Sequence, residues 1–268
     1  MTKLIETMKN RKSIRTFNGE KLSSGQISEL EAFAKDVSNP FGIPVTIKLL
    51  DAKENGLECP VIAGETMYAA GVVEKKPYAD VAFGYSFEKF IVHAYTLGLG
   101  GVMIGGTMKR EVFEKAAGIS DSEMMPCVTP LGVPAKKKSI KETMMRKGVG
   151  ADTRMNSDKL FYDGVWGSPL TPEDDIADVL ELVRWAPSAV NKQPWRVIFK
   201  DGRYHFYEKK NNGFNGPATG DLQKIDVGIA LYHFVTGLEQ KGKKADVIVE
   251  DPGIQIPADT EYIASVAL

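Results

Sequence analysis

The chain has 268 residues, 34 basic against 35 acidic, for a formal net charge of −1. That length can bury a sizeable core as one large domain or two small ones, and the near-balance of charge leaves no chain-wide basic field for nucleic acid or an anionic membrane surface, so a small-molecule partner is expected. Two cysteines without C-x-x-C spacing, Cys59 and Cys127, a polar start (MTKLIETMKNRKSIR) and no run long enough to span a membrane together point to a cytoplasmic protein.

In chain order, the first feature is RKSIRTF at residues 11–17. Arg11, Ser13 and Arg15 alternate, so in an extended segment they project to one side and offer two guanidiniums and a hydroxyl to a phosphate. Alone, such a pattern reads more often as a solvated basic turn. LSSGQISELEAFAKDVS follows, with Ser23 or Ser24 as cap and Ile27, Leu30, Phe33, Ala34 and Val37 at helical spacing, and the spacing predicts a helix. A proline-punctuated turn then leads into IPVTIKLLD, a strand. Residues 79–104, ADVAFGYSFEKFIVHAYTLGLGGVMI, predict a helix that is apolar on most faces, hence central, and then a strand. Within GLGGVMIGG (residues 98–106) Met103 stands where a dinucleotide fingerprint needs glycine, and the stretch follows a helix rather than a strand. What remains is two glycine pairs around a short apolar strand, where backbone can approach a flat ligand, or a helix cap and a turn.

Residues 135–168, rich in lysine, glycine and methionine, read as a crossing linker with one short helix. The plan then repeats. Leu22 to Asp51 has a counterpart in Leu170 to Asp201, where Thr171, Pro172 and Asp174 predict a cap with proline at the first helical position, Ile176, Val179, Leu180 and Val183 share one face, and PWRVIFKD is a strand. Between helix and strand lies APSAVNKQPW, residues 186–195. Its prolines fix the backbone around Ser188, Asn191 and Gln193, either for binding or as a helix-ending loop satisfied by its own side chains. Residues 224–249 answer residues 79–104, with Asp226-Val227 matching Asp80-Val81, and the terminal IASVAL answers CVTPLGVP. The expectation is two similar halves, 1–134 and 169–268, joined by 135–168. His93, His205 and His233 have no partners at metal-ligand spacing, and no G-x-S-x-G, Walker loop or cysteine-nucleophile context occurs, so neither a metal site nor a catalytic side chain is expected.

Together, RKSIRTF, GLGGVMIGG and APSAVNKQPW resemble the FMN-dependent nitroreductase family, in its single-chain, internally duplicated branch. The resemblance implies an α+β, three-layer α/β/α fold in which two similar halves of one chain mimic the family homodimer. It implies FMN as cofactor and NADH or NADPH as reductant, with ping-pong hydride transfer through N5 of the flavin to a small electron-accepting substrate. A flavin-storing protein without turnover and a flavin-consuming enzyme of the same fold are the alternatives. Carried onto this sequence, Arg11 would meet the FMN phosphate, Ser13 the phosphate or ring edge, and Arg15 the N1 and O2 side of the ring, with Lys12 between them. Ile104, Gly105 and Gly106 would place amides near N5. Pro187, Ser188, Ala189, Asn191 and Gln193 would line the flavin from the other half, and Lys137, Lys138 or Arg154 would supply a further cation. Ser13 and Ser188 lie in opposite halves instead of a few tens of residues apart, which implies one composite site and a monomeric pseudo-dimer, a true dimer being the alternative.

Overall fold

A computed structural model describes residues 2–268. Its elements, in order, are α1 (Lys3–Asn10), α2 (Ser24–Asp36), β1 (Val45–Asp51), β2 (Met67–Glu74), α3 (Ala79–Thr96), α4 (Arg110–Ala117), β3 (Glu123–Met124), β4 (Val128–Leu131), α5 (Ile140–Gly148), β5 (Phe161–Asp163), α6 (Asp174–Trp185), β6 (Trp195–Lys200), β7 (Arg203–Lys209), β8 (Asn215–Gly216), β9 (Gly220–Asp221), α7 (Leu222–Glu239), β10 (Asp246–Ile248) and β11 (Thr260–Ala267). The first sheet runs β1-β2-β3, with β4 also on β2; the second runs β10-β11-β7-β6-β5. The fold is the α+β arrangement expected.

The centre is the pair α3 and α7, each of 18 residues and buried on nearly every face. α3 packs on β1 and β2, α7 on β6, β7 and β11, so the helix pair lies between the sheets. The other face of the first sheet is closed by α4 through Leu50, Tyr68, Val72, Phe113 and Ala117. At the crossing the backbones nearly touch: a methyl group on Gly84 would collide with the Ile225 carbonyl, and one on Gly228 with the Val81 carbonyl. Only glycine permits that approach.

Local signals explain the flanking elements. Ser23, not Ser24, caps α2, in a reciprocal capping box with Gln26. β6 and β7 are joined by Asp201 and Gly202, both at positive φ (51° and 72°), the conformation a two-residue hairpin requires. The helix beginning at Asp174 is capped differently from expectation. Glu173, in extended conformation, holds the N-cap position, which leaves Pro172 outside the first turn. Residues 98–106 form isolated bridges, Gly100 to Gly132 and Ile104 to Val128, rather than a strand. The segment 135–168 does more than cross: besides α5 it supplies β5, which pairs parallel with β6. Several elements had no sequence expectation, among them the short helices α1 and α4 and the strand β2, whose MYAAGVVE is buried almost throughout. Among the described residues no helix is long and apolar enough to cross a membrane.

Gly84→Ala should lower stability by about 1–3 kcal/mol or more, since overpacking here meets backbone and not a movable side chain; a urea midpoint unchanged from wild type would remove the crossing from that role. A second test concerns Asp80, in the first turn of α3 under Gly220. Its Oδ1 is buried without a partner, and burial pushes its pKa up to about 6. The folded protein therefore holds this proton to higher pH than the unfolded chain does. The resulting stability is fully present below the unfolded value of about 3.9 and is lost as pH rises through about 6. Asp80→Asn should flatten that part of the stability–pH curve.

Candidate functional site

The segment after α1 is extended, and α5 holds it in place. Glu142, fully buried, accepts from the Arg15 amide (3.2 Å) and the Thr16 hydroxyl (2.8 Å), and Thr16 also bonds Ser139, the cap of α5. One turn further along α5, Arg146 donates to the Ser13 carbonyl (3.4 Å) and pairs with Asp152 (2.5 Å). Ser13 and Arg15 thereby face a cavity of about 130 Å³ together with Arg11, Val102, Met103 and Gly105 of the first half. The opposite wall comes from the second half: Pro187, Ser188, Ala189 and Val190, with Leu222, Ile225, Asp226 and Ile229 of α7.

Arg11, Ser13 and Pro187 also line an adjoining cavity of about 80 Å³, whose remaining walls include Lys12, Arg146 and Arg154. The two spaces form one bent cleft with a cationic head. Singly and together they are smaller than the roughly 300 Å³ at which ligand pockets begin, so a cofactor-sized ligand must span both and widen them or extend beyond them. Three features of the cleft fit a phosphate-bearing anion. The Nε atoms of Arg11 and Arg154 are buried without hydrogen-bond partners. The pKa of Arg154 is pushed down to about 10 by burial first and then by Arg184, Arg11 and Arg146. Among the described residues no carboxylate lies within 4 Å of the Arg15 guanidinium, whose pKa is likewise lowered by burial. An anion would relieve each of these.

Arg11 is held from the core. Its guanidinium donates to Glu88 (3.1 Å), a carboxylate with no exposure in the middle of α3. Glu88 also meets His233 Nε2 of α7 (3.1 Å), while His233 Nδ1 meets the Leu182 carbonyl (3.1 Å). Arg11, Glu88 and His233 thus link the head of the cleft to the helix crossing.

The loop from Ser188 to Gln193 is strained. Val190, Asn191 and Gln193 all have positive φ (42°, 59° and 50°), which non-glycine residues adopt at a cost of about 1 kcal/mol or more each. It is tied down on two sides. Both Asp226 oxygens accept from the Ala189 amide (3.1 and 3.0 Å), and the Asn191 amide group donates to the carbonyls of Gly150 (2.8 Å) and Thr153 (3.2 Å). Burial pushes the Asp226 pKa well up, against the stabilising amide.

Several expected contacts are redirected. Asn191 and Gln193 spend their side chains on backbone at 150–155 and on each other, with Gln193 Oε1 accepting from the Met155 amide (2.8 Å), so they brace the loop without lining the cleft. The Ile104 amide is committed to the Val128 carbonyl (2.8 Å), and Gly106 is exposed outside the cavity; of the glycine turn only Gly105 lines it. Lys12 lies at the head, whereas Lys137 and Lys138 are exposed and line neither cavity. The cation that sequence reasoning missed is Arg146, whose spacing of four from Glu142 on a short helix was the available signal. The apolar wall from α7 was missed too. His93 stacks on Phe33 (3.8 Å) and His205 bonds Ser265 (2.7 Å), both away from the cleft.

A family model described as "Putative TM nitroreductase" matches residues 3–238. The whole chain superposes on the crystal structure of a "putative nitroreductase" from Thermotoga maritima MSB8, with a TM-score of 0.66 and 16% identity over 100% of this chain and 94% of that one. At that identity the likeness concerns the fold. Shorter neighbours include a nitroreductase family protein from Clostridium novyi NT (TM-score 0.43, 18% identity, 53% of this chain and 91% of that chain) and an FMN-dependent nitroreductase from Clostridium difficile R20291 (0.43, 14%, 53% and 95%). No curated protein sequence matches.

Replacing Glu88 with alanine should cost about 3–5 kcal/mol, because it leaves Arg11 and His233 as uncompensated buried groups. Chemical denaturation checks this, and a loss below about 1 kcal/mol would show the triad to be solvated.

Proposed function

The chain belongs to the family described as "Putative TM nitroreductase", and from that premise we propose that it is an FMN-dependent oxidoreductase acting on a small electron-accepting substrate. The observation that supports this reading most is the convergence of Arg11, Ser13 and Arg15 with Pro187, Ser188 and Ala189 on one cleft with a cationic head. When bound, FMN would supply hydride transfer from NADH or NADPH to the acceptor in ping-pong order.

The chain's own residues would do the rest. Arg11, Arg146 and Arg154 hold the phosphate, and Ser13 and Lys12 complete the head. Arg15, with its unpaired guanidinium on the cleft wall, offsets the negative charge gained on reduction and so favours the reduced state. Ile225 and Ile229 give the ring an apolar wall, and the Asp226-braced loop sets the width of the slot. No side chain is required as a general acid or base.

On this reading residues 1–134 and 169–268 are two copies of one unit, and the protein works as a monomeric pseudo-dimer with a single flavin. The correspondence of α2, β1 and α3 with α6, β6 and α7 supports it, as does the loss of the APSAVNKQPW pattern at the equivalent place in the first half, KDVSNPFGIPV. Two buried free thiols, Cys59 and Cys127, suit a reducing cytoplasm.

Purified protein should bind one FMN per chain and lose its yellow colour on anaerobic titration with NADH or NADPH. Failure to bind added FMN would sink the proposal. A bound flavin that neither nicotinamide reduces would make it a flavin-holding protein, and two flavins per chain would refute the single composite site. Arg15→Ala should weaken FMN binding about tenfold or more and lower the flavin potential.

A further inference from the structure

We propose that Asp226 serves the cleft as an uncharged carboxylic acid whose hydroxyl donates a hydrogen bond to an acceptor atom of the bound flavin, a ring carbonyl oxygen or nitrogen. This rests on the flavin reading above and adds to it a binding residue that none of the three sequence motifs contains. Near the start of α7, Asp226 joins Leu222, Ile225 and Ile229 in the wall that faces Arg11 and Arg15 across the slot.

Nothing around Asp226 supports a negative charge. It is 3% exposed, and among the described residues no lysine, arginine or histidine lies within 4 Å of its carboxyl; Arg11, across the slot, is already paired with Glu88. The groups that act on it through space are Asp221 of β9 and Glu208 of β7, both acids, while burial keeps the Cys127 thiol of the same cavity wall neutral. One backbone amide, that of Ala189, donates to it, fewer than the roughly two or three that hold a buried carboxylate in its charged form. A carboxylate stripped of water and left without a counter-ion costs more than one that keeps its proton, and burial pushes the pKa of Asp226 well up accordingly.

That proton leaves one hydrogen bond unmade. A protonated carboxyl has a hydroxyl donor, and the Ala189 amide, shared between Oδ1 and Oδ2 at 3.1 and 3.0 Å, draws only on acceptor capacity. Among the described residues no acceptor takes the hydroxyl, and the side left open to it is the slot. A buried donor without a partner is costly, so a ligand atom that accepts from it recovers that cost on binding. An ionised Asp226 would instead repel a ligand that carries a phosphate and gains further negative charge on reduction; a neutral donor avoids this.

The counterpart in the first half shows what a closed version looks like. Asp80-Val81 matches Asp226-Val227, and Asp80 Oδ1 is likewise buried without a partner. There the backbone of β9 covers the acid: a methyl group on Gly220 would stand 2.0 Å from that oxygen. The first acid is capped by its own chain, whereas the second opens on the cleft.

The test reads the carboxyl directly. Infrared difference spectra of the flavin-free full chain at neutral pH, wild type against Asp226→Asn, cancel the other protonated acids and should show a protonated-carboxyl C=O band that the variant lacks; adding FMN to wild type should move that band to lower frequency. In fluorescence titrations Asp226→Asn, whose amide still donates and still accepts from Ala189, should bind FMN within about threefold of wild type, and Asp226→Leu about tenfold or more weaker. Absence of the band, a band that bound FMN leaves unmoved, an asparagine variant as weak as the leucine one, or a leucine variant that binds as wild type does each overturns the proposal and leaves the flavin reading intact. Failure of wild type to bind FMN overturns both.

Discussion

The structure depends on the contact between α3 and α7. Gly84 and Gly228 let two buried helices approach until backbone meets backbone, and each helix then presents its remaining faces to a sheet. The same seam positions the cleft. One turn beyond Gly84, Glu88 reaches both Arg11 and His233; on α7, Ile225, Asp226 and Ile229 flank Gly228 and form the wall facing Arg11 and Arg15. A wider crossing would separate the two halves of the site by the same displacement.

Charge is organised locally against a neutral background. The whole chain carries −1, yet Arg11, Arg15, Arg146 and Arg154 gather around one cleft, and the carboxylates nearest them are already used: Glu88 on Arg11 and His233, Asp152 on Arg146, Glu142 on backbone and hydroxyl. A field of this kind is strong because the surroundings are poorly polarisable, and short-ranged because solvent screens it beyond the mouth.

Much of the architecture was legible from pattern. Periodicity located α2, α6, the two central helices, β1 and β6, and the three motifs that converge on the cleft were visible as motifs. β2 was not, because MYAAGVVE is buried on both faces and so shows an unbroken apolar run with a glycine in it instead of alternation. α1 is short and mostly polar, with only Ile5 and Met8 buried. Inside the site, residue type announced hydrogen-bonding capacity but not its destination. Asn191, Gln193 and the Ile104 amide looked available, and backbone partners at 150–155 and at Val128 claimed them first. Arg146 was hidden for the converse reason. It comes from a helix whose role, pinning residues 13–16, exists only in three dimensions.

The helix crossing also has a kinetic side. The β6–β7 hairpin closes through Asp201 and Gly202 and can form early from neighbours in sequence, whereas the α3–α7 seam joins residues more than half the chain apart and must await closure of a very long loop. Until that seam forms, the faces of α3 and α7 that meet at Gly84 and Gly228 stay uncovered. A chain stalled before that step would expose the apolar seam faces of both helices, the kind of surface on which partly folded chains associate.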